Sequence, residues 1–438
     1  MDTLAQLKTG QLAGTKRLDL SCGLTQFPRE IFDLAESLEI LNLSGNALCS
    51  LPEDLHRLKH LRVLFCSDNA FTALPECLGQ CAQLSMIGFK ANQIEHLPAA
   101  ALPPLLRWLI LTDNRIGQLP AELGERPHLQ KLMLAGNRLE QLPASMAQCA
   151  NLELLRIASN RLTHLPPWLL RLPKLTWLAY AGNPLESAAA VVGEDTTPEI
   201  AWSQLTLGDV LGEGASGIIR QAQLSAADGT SKAVAVKLYK GSITSDGSPL
   251  HEMQACIAAG RHTQLIRVEG RIVDHPEQQA ALVMQLIDPS YRNLAGLPSL
   301  ASCTRDVYPA DMRLSATAAL RMARGIASVA AHLHRHGITH GDLYAHNILW
   351  NEGGDCLLGD FGAASFHATA DTPETQALQR IEVRAFGILL GELLERTDSG
   401  LNDERRRQLA ALRDRCCQPQ VLARPGFEAI LQALSDIP

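Results

Sequence analysis

The chain has 438 residues, which leaves room for two or three domains, each able to bury its own core. With 46% hydrophobic residues and a net charge of -7, its composition is globular and argues against nucleic-acid binding, since a phosphate backbone favours basic surfaces. No apolar run of about eighteen residues could span a membrane, and the first residues do not read as an export signal. The eleven cysteines are an odd number and lack the spacing of a zinc site, so they are expected to be reduced thiols. A reducing cytoplasm is therefore the expected location.

An asparagine recurs every 22 or 23 residues through the first half of the chain. The seven positions are Asn46, Asn69, Asn92, Asn114, Asn137, Asn160 and Asn183. Each stands in the frame L-x-x-L-x-L-x-x-N-x-L, and an irregular copy from Leu18 to Pro28 makes an eighth that caps the array. The L-x-L step predicts a short strand with two leucines in a shared core, and the Asn can bond turn backbone groups.

Copies of this kind cannot bury their apolar face alone, so they are expected to stack into a curved solenoid. The pattern resembles the leucine-rich repeat family over roughly residues 15–185, with residues 1–14 as an N-terminal cap. The frame leaves an apolar stripe on the inner, concave sheet. Single members could simply fill gaps at the strand edge, but the stripe as a whole is expected to bind a protein substrate or regulator, since contiguous exposed apolar area usually marks an interaction site. The stripe consists of Ile40, Asn42, Val63, Phe65, Met86, Trp108, Ile110, Lys131, Met133, Leu154, Arg156 and Trp177.

The second half begins after residues 186–202, which follow neither repeat nor strand period and are expected to form a linker. A glycine-rich turn with Gly212, Gly214 and Gly217 then lies between two strand-like segments. In a dinucleotide-binding fold such a turn would open a helix, so this one instead predicts backbone N–H groups that close over phosphates. Ile219 is positioned to lie against an adenine ring.

A short apolar strand after this turn carries one cation, Lys237. A buried ammonium is costly without a partner, so Lys237 is expected to face a cleft and meet an anion. Glu252, near a predicted helix start, is its natural ion-pair partner. A further strand leads to a hinge, where Met284 would wall the adenine pocket and the backbone near Gln285 and Ile287 would bind the base edge.

A polar segment beginning at His340 carries Asp342 and Asn347, and an Asp-Phe-Gly begins at Asp360, thirteen residues beyond the Asn. Asp342 could accept or orient the proton of an attacking hydroxyl group. Amide and carboxylate oxygens from Asn347 and Asp360 suit Mg²⁺. The order and spacing of these motifs predict transfer of the γ-phosphoryl group of ATP.

Residues 203–438 resemble a eukaryotic-type protein kinase domain, and the whole chain resembles a cytosolic leucine-rich-repeat protein kinase of bacterial type, with serine/threonine specificity expected. The resemblance implies that Lys237 anchors phosphates, that Glu252 pairs with it and that Asp342 is the catalytic base. It implies ATP and Mg²⁺ as cofactors.

The resemblance further implies that Asn347 and Asp360 ligate the metal, Asn347 also being counted with the catalytic residues. The nucleotide would lie among Leu211, Gly212, Gly214, Gly217, Ile219, Ala235, Lys237, Glu252, Met284, Gln285, Ile287, Leu349 and Asp360. The expected fold is an α/β leucine-rich-repeat solenoid followed by a two-lobed α+β protein-kinase-like domain.

The chain departs from the family pattern at several positions. Gly341 stands where the family has an Arg before the base, so the switch that reads a phosphorylated activation loop is expected to be absent. Tyr344 replaces the family's phosphate-binding Lys, and Glu382 replaces an Asp. Only 22 residues separate Asp360 from Glu382, so the activation segment is short.

Two alternatives to a protein kinase remain open. The His-Gly-Asp-Leu-x-x-x-Asn segment also resembles the catalytic loop of aminoglycoside and choline phosphotransferases, which phosphorylate small alcohols. The intact Asp-Phe-Gly and the fused repeats favour a protein substrate. A scaffold that has lost catalysis is disfavoured because every residue needed for Mg²⁺ and ATP is present.

Overall fold

The computed structural model describes residues 3–185, 197–226, 228–241, 243–397 and 400–437. By its contacts the chain divides into two compact units, Met1–Lys174 and Leu175–Pro438. Residues 186–196 of the predicted linker, and residues 1 and 2 of the predicted cap, lie outside the described residues. Among the residues that are described, no helix is long and apolar enough to cross a membrane.

The first unit opens with a short helix and continues as a parallel sheet. Its elements are α1 (Thr3–Lys8), β1 (Arg17–Asp19), β2 (Ile40–Asn42), β3 (Val63–Phe65), β4 (Met86–Gly88), β5 (Trp108–Ile110), β6 (Lys131–Met133) and β7 (Leu154–Arg156). Each strand pairs in parallel with the next, and their central residues stay in register from Leu18 and Leu41 through to Leu132 and Leu155. These central side chains are buried, which places the core behind the sheet as the L-x-L step predicts.

The recurring asparagine closes the turn after each strand. Asn114 is typical: its Nδ2 donates to the carbonyls of Phe89 and Leu111 at 2.9 and 3.0 Å, and its Oδ1 accepts from the Ile94 N–H at 3.0 Å. One side chain thus satisfies backbone groups of two adjacent copies that would otherwise be buried without partners.

The outer limb of each copy is a short 3₁₀ helix. The segments are Arg29–Leu34, Glu53–Arg57, Glu76–Gln80, Ala99–Ala101, Ala121–Glu125, Ala144–Gln148 and Leu169–Arg171. The first six begin directly after a proline, whose fixed φ suits the first turn of a helix.

The apolar stripe predicted on the concave face is less exposed than expected. Six of its members are buried, namely Val63, Met86, Met133, Leu154, Arg156 and Trp177. The others, Ile40, Asn42, Phe65, Trp108, Ile110 and Lys131, are half-buried. Neighbouring parallel strands lie only about 4.8 Å apart, so large side chains in one row cover each other. The Lys131 ammonium, for example, lies 4.1 Å from the centre of the Trp108 ring. The Trp177 ring is covered in addition by the Tyr344 ring, which stacks on it.

The second unit begins with the strand of the last repeat copy, β8 (Trp177–Ala179). A six-stranded sheet follows, built from β9 (Glu199–Ala201), β10 (Leu205–Glu213), β11 (Gly217–Ser225), β12 (Ser231–Tyr239), β13 (Val268–Val273) and β14 (Ala281–Gln285). Their order is β10-β11-β12-β14-β13-β9, antiparallel except for the last pair. Helix α2 (Pro249–Ala258) completes this smaller lobe, its first turn capped by the Ser248 hydroxyl.

Strand β9 lies where the sequence predicted the end of a linker. Ile200 is buried in the core of the six-stranded sheet, with Trp202 packed against it in a short 3₁₀ helix, Trp202–Gln204. The segment therefore differs from a linker because its two large apolar side chains bury surface in the small lobe.

The larger lobe is mainly helical. Its helices are α3 (Ala316–Arg335), α4 (Pro373–Arg396), α5 (Asp403–Cys416) and α6 (Phe427–Ser435), with 3₁₀ helices Ala345–Asn347 and Val421–Ala423. Its strands are β15 (Arg292–Asn293), β16 (Ile338–Thr339), β17 (Ile348–Trp350), β18 (Cys356–Leu358) and β19 (Ser365–Phe366). They form a small sheet β15-β17-β18 and a pair β16-β19, so the loops after β16 and β18 emerge close to each other.

Candidate active site

A cleft of about 710 Å³ lies within the second unit, and most of the predicted catalytic and phosphate-binding residues line it. These are Gly212, Gly214, Gly217, Ile219, Lys237, Glu252, Asn347 and Asp360. They come from the facing ends of β10 and β11 and the turn between them, from β12, from α2, and from the segments before β17 and after β18. Residues spread over about 150 positions of sequence therefore converge on one concave space, as ligand sites require.

The glycine turn joins β10 to β11 along one edge of this cleft. The Gly214 N–H donates to the Gly217 carbonyl at 2.9 Å, which closes the turn. A Cβ at Gly217 would collide with the Leu238 carbonyl of β12, so only glycine lets the two strands approach there. At Gly212 and Gly214 a Cβ would meet nothing within 4 Å, which leaves open space for a ligand.

Lys237 and Glu252 form the buried ion pair that the sequence predicted. The Lys237 Nζ donates to Glu252 Oε1, and their side chains are 12% and 2% exposed. Burial lowers the pKa of Lys237, but the charges of Glu252 and Asp360 outweigh it and hold the pKa above its ordinary value. Lys237 therefore remains a cation in the cleft.

The loop after β16 holds the predicted catalytic base next to its predicted metal ligand. Asn347 Nδ2 donates to the backbone carbonyl and to Oδ2 of Asp342, both at 2.9 Å. His340 is fully buried and its Nε2 lies 2.9 Å from the Gly359 carbonyl, joining this loop to the segment before Asp360.

Asp360 has a φ of 53°, in the left-handed region that few non-glycine residues adopt. Its Oδ1 accepts from the Gly362 N–H at 3.1 Å, and the residue is exposed toward the cleft it lines. Such an unusual backbone conformation is held where a side chain must be aimed, and here it aims a carboxylate.

The donor set fits Mg²⁺. Asn347 uses its amide nitrogen on Asp342, so its amide oxygen is the atom left for a cation, and Asp360 adds a carboxylate oxygen. Mg²⁺ takes few protein oxygens and keeps its remaining positions for water and phosphate, so two ligands suffice. Larger clusters of three or more His, Cys, Asp or Glu side chains suited to a metal are absent from the described part of the chain.

The predicted adenine-side residues are only partly brought together. Ile219, Lys237, Glu252, Met284 and Asp360 line a second, smaller cavity of about 80 Å³ behind the ion pair. Five predicted nucleotide contacts line neither cavity: Leu211, Ala235, Gln285, Ile287 and Leu349. Leu211 is 51% exposed and Gln285 is exposed, whereas Ala235 is buried opposite Met284 in the sheet.

The structure adds functional candidates that the sequence motifs did not reveal. His346 lines the cleft; its Nδ1 lies 2.6 Å from Asp306 Oδ1 and its Nε2 4.0 Å from Asp342 Oδ2. Asp306 belongs to a loop 36 residues before Asp342 and carries no motif. The one available signal was His346 itself, next to Asn347.

Glu382 of α4 supports the same loop from below. It is buried, its Oε1 accepts from the Gly341 N–H at 2.8 Å, and its Oε2 lies 2.8 Å from His334 Nε2. The sequence marked this Glu as a family position, but its partners could only be seen in the structure.

A two-lobed fold with a lysine–carboxylate pair, an aspartate beside an asparagine and an aimed aspartate defines the class of protein-kinase-like phosphotransferases. Residues 205–398 match the family model described as protein tyrosine and serine/threonine kinase. Residues 37–58 and 127–185 match leucine rich repeat models. The chain therefore carries leucine-rich repeats followed by a protein kinase domain.

Two curated relatives are similar to parts of the chain. Over 195 residues it is 30% identical to CBL-interacting protein kinase 22 of Oryza sativa subsp. japonica, which covers 42% of each protein. Over 74 residues it is 39% identical to the calmodulin-binding receptor kinase CaMRLK of Arabidopsis thaliana, or 17% of this chain and 11% of that protein. The matches span less than half of either relative, and these plant proteins give no support to the bacterial subtype expected from the sequence.

Proposed function

We propose that the protein transfers the γ-phosphoryl group of Mg-ATP to a hydroxyl group of a protein, on serine or threonine. The observation that carries the proposal is the convergence on one cleft of Lys237, paired to buried Glu252, with Asn347 and Asp360. Asp342 is held beside them by Asn347. Phosphoryl transfer needs positioning and charge stabilisation more than covalent help, and these side chains supply both.

Each residue has a distinct part in the proposed step. Lys237 holds the phosphates of ATP, and Asn347 and Asp360 hold Mg²⁺, which supplies charge neutralisation when bound. Asp342 orients the acceptor hydroxyl and takes its proton. A new bond forms between the acceptor oxygen and the γ-phosphorus as the bond to the bridging oxygen breaks, and ADP leaves with that oxygen.

His346 could supply the positive charge that the family's phosphate-binding lysine would provide at the position of Tyr344. Burial lowers the pKa of His346, but the hydrogen bond to Asp306 and the charge of Asp342 outweigh this and raise it. Because its pKa is raised, the His346 imidazole, 4.0 Å from the Asp342 carboxylate, is protonated more readily than an ordinary histidine and would then place positive charge where phosphate charge develops.

Transfer to a small alcohol is the second candidate. Gly341 and Tyr344 depart from the protein kinase loop, and Asp360 and Glu382 are only 22 residues apart, which leaves little chain for docking a peptide. The repeats favour the protein substrate, because a solenoid offers a macromolecule an extended surface.

The test is a comparison of the full chain with Asp342→Asn. With Mg²⁺ and labelled ATP we expect the wild type to modify itself or casein, and Asp342→Asn to lose roughly a thousandfold in rate while its thermal unfolding is unchanged. Label on choline or an aminoglycoside but not on protein would favour the second candidate. Nucleotide binding without any transfer would indicate a scaffold.

The half-buried residues of the concave face are the proposed site for a protein partner. Phe65, Trp108 and Ile110 offer apolar area beside Lys131, the mixture typical of protein interfaces. In a pull-down, a protein that binds the wild type should no longer bind the double variant Phe65→Ser with Trp108→Ser. If both forms captured the same protein equally, the concave face would not be its binding site. A reducing, cytoplasmic location is proposed as well, because no disulfide joins any of the eleven cysteines.

A further inference from the structure

The strand of the last repeat copy lies in the second unit and contacts the loop that carries the proposed catalytic base. Trp177 of β8 is 1% exposed, and its ring stacks on the Tyr344 ring with centroids 4.1 Å apart and planes 8° from parallel. The Trp177 indole N–H donates to the Leu343 carbonyl at 3.3 Å. An offset ring stack with a directional N–H bond fixes the loop in both distance and rotation.

The contact continues on both sides of this stack. The Arg305 guanidinium lies over the Trp177 indole, 5.3 Å from a ring centre. On the same strand segment, the Tyr180 N–H donates to the Ser365 hydroxyl at 2.9 Å, beyond the Asp-Phe-Gly. The strand is therefore bound to the loop of Asp342 and to the segment that follows Asp360.

Gly341, the residue before the proposed base, is shaped by this strand. Its φ is 72°, and a Cβ there would lie 2.8 Å from the Leu178 carbonyl oxygen and closer still to that of Ala363. No side chain of any kind fits between β8 and the loop. The glycine that replaces the family's Arg is thus the residue that admits the repeat strand.

The strand stays clear of the nucleotide cleft. Trp177 contacts the Leu343 carbonyl and the Tyr344 ring, whereas the cleft is lined by His346, Asn347 and Asp360. Tyr344 in turn lies 4.9 Å from the His346 ring, which approaches Asp342. This arrangement supports the loop from behind and leaves its reactive face open.

We propose that Trp177 is a positioning residue for the catalytic loop, so that the catalytic unit includes the last repeat strand. The proposal rests on the phosphotransferase function proposed above. Tyr344 and Gly341 receive the strand, and His346 and Asp342 are oriented through it. A loop shifted by about 1 Å can lose two orders of magnitude in rate, so such support matters for turnover.

The experiment compares Trp177→Ala with Trp177→Tyr in the full chain, using casein as phosphate acceptor. We expect Trp177→Ala to lower kcat roughly 10- to 100-fold with KM for ATP changed less than about twofold, and Trp177→Tyr, which keeps a stacking ring, to retain most of the rate. Trp168→Ala is the matched control: a half-buried tryptophan in the first unit, outside every proposed site. Unchanged or raised kcat in Trp177→Ala would overturn the proposal, the latter by marking the strand as inhibitory.

Hydrogen exchange gives a reading that does not need activity. Backbone amides of residues 338–350 should exchange faster in Trp177→Ala than in the wild type or Trp168→Ala, while peptides of α6 stay unchanged. Unchanged exchange at 338–350 would overturn the proposal. If the wild type transfers no phosphate but this exchange difference appears, the phosphotransferase function fails and the support of the loop by Trp177 stands.

Discussion

The two units satisfy their buried polar groups in different ways. In the repeat unit one side chain type does the same task many times: Asn92, Asn114, Asn137 and Asn160 each bond carbonyls of their own copy and of the copy before. In the catalytic unit the buried polar groups described above are each satisfied by a different pair of residues, without repetition. Removing one such side chain should therefore destabilise only the neighbouring copies in the first unit, but the whole of the second unit.

Glu382→Ala is the strongest test of that difference. It removes a buried carboxylate and leaves the Gly341 N–H and His334 without this partner, which costs about 3–5 kcal/mol for a broken buried pair. We expect urea unfolding, followed by hydrogen exchange, to shift for the whole second unit. The matched control is Glu404→Ala on α5, whose solvent-exposed pair with Arg407 contributes little to stability. Equal costs would show that position in the second unit does not matter.

The dependence of the free energy of unfolding on pH, at acidic pH, also tests the interactions of Glu382. Burial raises the pKa of Glu382, but the bonds from His334 and Gly341 outweigh this and hold it below its ordinary value of 4.5. Its stabilisation is therefore present above that value and lost as the pH falls through the lowered pKa. Glu382→Gln should flatten this pH dependence.

Lys237→Met tests whether the buried pair serves the reaction as well as the fold. We expect kcat/KM to fall roughly 100- to 1000-fold, because a largely buried cation that lines the cleft is lost from the place proposed for the phosphates. Lys232→Met is the control on the same strand: Lys232 is exposed and its ion pair with Glu269 lies away from the cleft, so activity should stay near wild type. Equal losses in both variants would contradict a role specific to Lys237.

The repeat frame was predictable because its rule is local and repeated. Leu41, Leu64, Leu109, Leu132 and Leu155 stand in register as the L-x-L step requires. The amount of exposure was not predictable. Side chains in one row of strands cover each other, which buries members such as Met86 and Met133.

In the catalytic unit the motifs predicted some of the residues that meet, but five predicted nucleotide contacts line neither cavity, and no motif showed what supports the site. The Lys237–Glu252 pair and the Asn347–Asp342 bond follow from known spacings. The Asp306–His346 contact joins residues 40 positions apart, and Trp177 meets Tyr344 across 167 positions, so no local pattern encodes either. Strand β9 falls within the predicted linker because Ile200 and Trp202 follow no local pattern, and their burial against the sheet is visible only in the structure.

Asn114→Ala should have a smaller and more confined effect. Its amide bonds to Phe89, Leu111 and Ile94 are lost, which costs about 1–3 kcal/mol for the buried groups left unpaired. Hydrogen exchange should rise in the adjacent copies while phosphoryl transfer stays unchanged. Asn151→Ala, at an exposed asparagine, is the control and should cost about 0.5 kcal/mol or less. Faster hydrogen exchange in the second unit of Asn114→Ala would contradict the claim that this substitution acts only on the neighbouring repeat copies.

Thiol labelling is the mildest test of the comparison, since it changes no residue. Cys22 and Cys49 in the first unit are exposed, whereas none of the five cysteines of the second unit is. Burial raises the pKa of Cys256 and of Cys416 to about 12, which leaves roughly a thousandfold less thiolate than an ordinary cysteine at neutral pH. The native protein should therefore take up about two equivalents of an aromatic disulfide reagent quickly, both on the first unit. The buried thiols of the second unit, Cys303, Cys356 and Cys416, should react only as that unit opens as a whole, so Glu382→Ala should speed their labelling and Asn114→Ala should not. If the fully buried Cys416 reacted early in the wild type, part of the second unit would open independently, and the catalytic unit would not behave as one cooperative body.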